Sequence, residues 1–200
     1  MSSTVFVNGV TLTDEDWFND VNRLHYTILG DPATLAVTKV TLNATLAAEQ
    51  ASTSGTSIDF TGIPSGVKRI TVMFKGVSTN GTDPLLIQLG DAGGIEASGY
   101  LCSSVTLTNA AGTGGSNYTT GFGFESGSAA NVFHGALVLS LENASAFSWT
   151  ANGQIARSNS ATIALSAGSK STSAELDRVR ITTANGTDTF DAGAIAISYE

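Results

Sequence analysis

Positive charge is what this chain has least of. Nine Lys and Arg stand against seventeen Asp and Glu, a formal net charge of −8. That balance argues against binding a nucleic-acid backbone or an anionic membrane, both of which demand clustered cations. Between Lys75 and Arg157 there is no Lys or Arg at all. Cysteine occurs once, at Cys102, which excludes an internal disulfide. One Cys and two well-separated His, His25 and His134, leave no structural zinc site in one chain. No run approaches eighteen consecutive apolar residues, so no membrane insertion is expected. The opening Met-Ser-Ser-Thr-Val-Phe-Val-Asn-Gly has no basic stretch and no apolar stretch, so no secretory signal is expected and the chain is made in a cytoplasm.

Small polar residues fill the place of the missing charges. The chain has 23 Ser, 26 Thr and 22 Gly, with 13% charged residues where about a quarter is usual. The hydrophobic share is an ordinary 42%, so this is not the composition of disorder, which pairs low hydrophobicity with high charge. It suits short strands joined by tight turns.

Residues 1–30 read differently from the rest. Val5 to Leu12 is apolar and broken by Asn8-Gly9, the dipeptide of tight hairpin turns. Thr13 then caps a helix expected over 14–29, with Asp14, Glu15 and Asp16 against its positive end. Trp17, Val21, Leu24 and Ile28 recur at helical spacing and form one apolar stripe. Gly30 and Pro32 end it. A helix of this length is marginal alone in water, and a two-stranded hairpin adds little. The stripe, with Phe18 beside it, therefore needs a covering surface: its own downstream domain, or other chains.

Residues 31–55 read as a linker. Thr34 to Leu42 alternates like a strand, Ala44 to Ala51 suits a short helix or an extended segment, and Ser52-Thr53-Ser54-Gly55 is a loop. From 56 to 200 the pattern is all β. Ile70, Val72 and Phe74 share one strand face, and Phe122 and Phe124 share another, which puts both sets in a core. Strands are also expected at 99–108, 118–125, 132–142, 146–150, 153–157, 161–166, 174–183 and 194–199. Turns are expected at Asn80-Gly81, Gly112-Thr113-Gly114-Gly115, Asn152-Gly153 and Asn185-Gly186. The fold class is mainly β: an antiparallel, jelly-roll-like β-sandwich behind a short hairpin–helix segment. Asn-Gly-Thr-Asp occurs at 80–83 and again at 185–188, one turn chemistry used twice.

Signs of catalysis are sparse. No Ser lies in Gly-x-Ser-x-Gly, and His134 reads as a strand residue. Asp59, Asp83, Asp91, Glu96, Glu125, Glu142, Asp188 and Asp191 could in principle pair for glycoside hydrolysis, but most lie in or beside turns, where Asp has a local role. Asp83, Asp91, Asp188 and Asp191 form no Asp-x-Asp-x-Asp-Gly calcium loop, and no cofactor is expected. The cation-free span suits two surfaces. One is an interface between packed subunits, since charges are depleted at interface cores. The other is a glycan site with Tyr100, Tyr118 or Trp149 as stacking platforms, against which stands core packing of the same rings.

The run Val-Phe-Val-Asn-Gly-Val-Thr-Leu-Thr-Asp-Glu-Asp-Trp-Phe-Asn-Asp-Val-Asn-Arg-Leu, residues 5–24, resembles the N-terminal segment of tail-fibre and tail-appendage proteins from short-tailed bacteriophages. Residues 179–193 resemble the C-terminal strands of small phage fibre domains. The resemblance implies a non-enzymatic virion protein and a homotrimer. Residues 1–30 would contact other virion proteins through Val5, Val7, Trp17, Phe18, Val21, Leu24 and Ile28, and the β domain would face outward to a host-surface glycan. The chain has no heptad or β-helix shaft, which leaves open a capsid decoration or head-fibre role and weighs against a glycan-degrading tailspike.

Overall fold

The computed structural model describes residues 44–108 and 112–200, together with four short strands before them, and divides into two units, Met1–Asn43 and Ala44–Glu200. In the first unit β1 (Phe6–Val7) pairs antiparallel with β2 (Val10–Thr11), the hairpin that Asn8-Gly9 predicts. A second pair joins β3 (Tyr26–Leu29) to β4 (Ala36–Lys39), with Ile28 opposite Val37. This corrects the helix expected over 14–29 at its C-terminal end. Tyr26, Thr27 and Ile28 are aromatic or β-branched and favour a strand once a partner run is present. Ile28 therefore does not continue a helical stripe. Val5, Trp17, Phe18, Val21 and Leu24 lie outside the described residues.

The second unit is an antiparallel β-sandwich. It begins at Ala44, earlier than the boundary expected near 56, because β5 (Thr45–Leu46) and β6 (Gln50–Ala51) both pair with the last strand, β18 (Phe190–Tyr199). The smaller sheet holds five strands: β7 (Ser57–Thr61), β9 (Leu85–Asp91), β10 (Gly94–Ile95), β13 (Phe122–Phe124) and β17 (Arg178–Thr183). The larger has nine. From one edge they run β12 (Gly112–Tyr118), β11 (Leu101–Thr108), β16 (Thr162–Ser171), β15 (Ser148–Arg157), β14 (Phe133–Asn143), β8 (Arg69–Thr79) and β18. The short β5 and β6 close the far edge.

Period-two alternation builds the core. Ile70, Val72 and Phe74 of β8 point inward with Leu137 and Leu139 of β14, and Ile195 and Ile197 of β18. Facing them are Phe60, Ile87, Val179 and Ile181 of the smaller sheet, with Phe122 and Phe124 of β13. Phe124 meets Phe74 edge to face across the core, ring centroids 6.4 Å apart. The expectations for both aromatic pairs of faces hold.

Two expected turns are strand instead. Asn152-Gly153 runs through the middle of β15, where Leu137 of β14 lies opposite Gly153. A Cβ on Gly153 would stand 2.6 Å from the Ala136 carbonyl oxygen and 2.7 Å from Leu137 Cα. Glycine is there for close approach of two strands rather than for a reversal. Gly112 to Gly115 belongs to the edge strand β12, which pairs with β11 through a bulge between Val105 and Thr106.

Candidate interaction face

The outward positions of the nine-stranded sheet follow from its register. One cross-strand row reads Leu107, Ile163, Ala156, His134 and Lys75. The next reads Val105, Leu165, Gln154, Ala136 and Met73. A third runs Ser103, Ala167, Asn152, Val138 and Thr71, and continues through Ser198 to Leu46. The fourth is Leu101, Ser169, Thr150, Ser140 and Arg69. These side chains alternate with the buried ones, so they stand on the side away from the core.

In these rows β11, β16 and β15 present no Lys, Arg, Asp or Glu; Lys75 and Arg69 mark the border on β8. The large hydrophobic side chains exposed among the described residues are Leu46 at 69%, Leu101 at 74%, Leu107 at 43% and Ile163 at 43%, and all four lie on this face. Leaving such a side chain in water forgoes about 1.5–3 kcal/mol relative to full burial. Exposed leucines scattered singly need no explanation, but here Leu107 lies beside Ile163 and Val105 beside Leu165, with Ser, Thr, Asn and Gln in the rows around them. Gly115 on the edge strand and Ala167 on β16 offer little side chain, and a shallow depression of about 600 Å³ opens there beside Val105, Leu165 and Asn152. Within the cation-free span, β11, β12, β14 and most of β15 belong to this sheet, whereas β9, β10 and β13 belong to the smaller one.

The rings expected as glycan platforms are elsewhere. Tyr100 is 1% exposed, Tyr118 9% and Trp149 3%, all within the core. This corrects their placement as surface platforms: each falls on an inward position, where an aromatic removes more apolar area from water than any other side chain. Tyr100 meets Phe122 edge to face at 5.1 Å. Its hydroxyl accepts the Leu89 N–H at 2.6 Å and donates to the Glu96 carbonyl at 2.9 Å. Burial pushes the Tyr100 phenol well above its ordinary value, and it pushes Tyr118 up likewise, with the Glu125 carboxylate adding to the effect. Trp149 lies opposite Lys170 and Leu141.

Beside Tyr100 is a charge network that sequence reasoning missed. Lys170, only 8% exposed, pairs with Glu96 and sits 5.5 Å from the Tyr100 ring centre. The Glu96 carboxylate also accepts the Ser173 N–H at 2.6 Å. Asp91 accepts from Ser173 Oγ at 2.6 Å and from the N–H groups of Ala174 and Gly93 at 2.8 Å each. The Ser173 hydroxyl, then the Gly93 amide, hold the Asp91 carboxyl below its usual range against the cost of burial. Burial pushes Glu96 up, but Lys170 and the Ser173 amide outweigh it and leave it lowered. The two carboxylates tie the 91–96 turn to Ser173 and Ala174 and, through Lys170, to β16, which is a structural task. The only sequence signal was an isolated Lys in a Ser-rich strand.

The twin Asn-Gly-Thr-Asp motifs meet in space. Asn185 Nδ2 donates to Asp83 Oδ2 at 2.8 Å and to Asp188 Oδ1 at 2.6 Å, and the Asp83 N–H donates to Asp188 Oδ2 at 3.2 Å. A Cβ on Gly81 would fall 1.9 Å from the Asp188 carboxylate, so a larger residue there would turn that carboxylate away from Asn185. Among the described residues no three His, Cys, Asp or Glu side chains gather as metal ligands. Arg180 engages Asp59 through two bonds of 2.7 Å, and Glu125 accepts from Tyr118. His134 Nδ1 accepts the Gly76 N–H at 3.3 Å.

Compared with known proteins, the chain matches no family model, no curated protein and no solved structure.

Proposed function

We propose that this chain is a structural virion protein, a short bacteriophage tail fibre or tail appendage. Residues 1–30 hold it in the particle, and the sandwich from Ala44 onward is displayed for host attachment. The observation that carries the reading is the Val5–Leu24 run with its Asn-Gly hairpin, acidic cap and Trp-Phe pair. The charge-poor, hydroxyl-rich β domain supports it, as such a surface suits subunits packed as a homotrimer. In this reading the protein is not an enzyme: its carboxylates serve turns and ion pairs. Attachment to a host glycan then falls to exposed Ser, Thr and Asn side chains rather than to aromatic platforms.

The test is genetic and structural. Removing residues 2–30 leaves a folded sandwich that no longer enters particles. Incorporation of the truncated chain at the normal level ends the reading. Copy number sharpens it: a small multiple of three or six fits a tail appendage, whereas tens to hundreds per particle would make the chain a capsid decoration or head fibre.

A further inference from the structure

We infer that the outer face of the nine-stranded sheet is where copies of this chain pack against one another. The inference deepens the homotrimer of the virion reading, on which it rests, by naming the face through which copies pack, whether on a particle or free in solution. Three observations choose the occupant. First, three of the large exposed hydrophobics, Leu101, Leu107 and Ile163, lie together over β11 and β16, and Leu46 stands on the same side at the far edge. Second, the rows over β11, β16 and β15 carry no ionised side chain. A charged partner would have to shed its water against a surface with no counter-charge to offer. The matching face of a second copy is neutral over these three strands, apolar at Leu107, Ile163, Val105 and Leu165 and hydroxyl- or amide-bearing at Ser103, Ser169, Thr150 and Asn152. Over β11, β16 and β15 two chains of net charge −8 can meet without opposing their carboxylates, and the exposed Glu142 of β14 stands at the margin. Third, the area is sufficient. Five strands, β12 to β14, at about 4.8 Å spacing and about eight residues each at about 3.4 Å, span about 650 Å². Two such faces together remove about 1,300 Å², above the roughly 1,000 Å² of a specific interface.

The test uses the full chain, so that contacts made by residues 1–43 are present throughout. Hydroxyl-radical footprinting across a concentration series reads the face residue by residue. Leu101, Leu107 and Ile163 should lose labelling as light scattering reports assembly. The double variant L101E/I163E, both at exposed sites, should raise the dissociation constant by about tenfold or more with an unchanged far-ultraviolet circular dichroism spectrum. The inference is overturned if assembled chains label at Leu101 and Ile163 as fast as dilute ones, or if the wild-type chain stays single at its highest soluble concentration. It is also overturned if the folded double variant assembles as tightly as wild type. Should that variant not fold, the wild-type footprint alone decides. Particle incorporation is read separately, so a failure here leaves the virion reading to its own test.

Discussion

On the outer face of the five-stranded sheet, Arg180 donates to Asp59 through Nε and Nη2, and Arg178 and Asp177 pair beside them. The outer face of the nine-stranded sheet, on the opposite side of the core, shows Leu101, Leu107 and Ile163 in rows with Ala, Ser and Asn. Both faces are backed by one core, so folding alone does not explain the difference. A face built to stay wet carries charge that water solvates on either side of folding. A face without charge over three adjacent strands is built to lose its water.

That contrast can be broken or sharpened by measurement. The largest effect belongs to the shared core. Phe122→Ala empties a fully buried position that packs on Tyr100, and should cost about 3–5 kcal/mol in a denaturant melt. Probes on the two sheets should report one transition; two separated transitions would mean that the sheets do not share a core in the sense argued. Next is the ion pair between core and rim. Lys170→Met leaves Glu96 facing an apolar side chain and should cost about 2–3 kcal/mol, less than a fully buried pair because Glu96 is partly exposed. If Lys170→Met is neutral, the network is ornamental.

Acid should act on the same network. Asp91 and Glu96 both titrate below their ordinary values of 3.8 and 4.5, so the unfolded chain binds protons before the folded one does. Their stabilisation is full above about pH 4.5 and drains as pH falls through the lowered folded values. A melting temperature that holds steady from neutrality to pH 5 and falls below pH 4 is expected; a flat profile down to about pH 2 would contradict the assignment. The smallest effect belongs to the wet face. Arg180→Ala should cost less than about 1 kcal/mol, because the pair with Asp59 is more than one third exposed and water screens it, and salt should reduce even that.

Much of this was legible in the chain itself. Alternation placed Ile70, Val72, Phe74, Phe122 and Phe124 in the core, since side-chain period in a strand is two whatever the neighbours are. The hairpin at Phe6–Thr11 followed from Asn8-Gly9. Glycine misled at 112–115 and 152–153, because a local signal for a turn is also what a strand needs at a positive-φ bulge, as at Gly114, or where another backbone crowds it, as at Gly153. Tyr26 to Leu29 misled in the opposite sense, with helical spacing in residues whose own preference was for a strand. For the face, the gap in cations between Lys75 and Arg157 was visible, but not its geometry.

Composition, charge sign, core face and strand content are local or additive properties, and the order of residues determined them without reference to the fold. Which strands stand side by side is decided by pairing over long separations, such as Leu101 with Ser169 or Leu46 with Ser198. Only that pairing gathers leucines from distant segments onto one surface, turns Tyr100 and Trp149 inward, and brings Asn185 between Asp83 and Asp188. The physical reason is that burial and hydrogen bonding are satisfied between strands, so a residue's surroundings belong to its partners as much as to its neighbours in the chain.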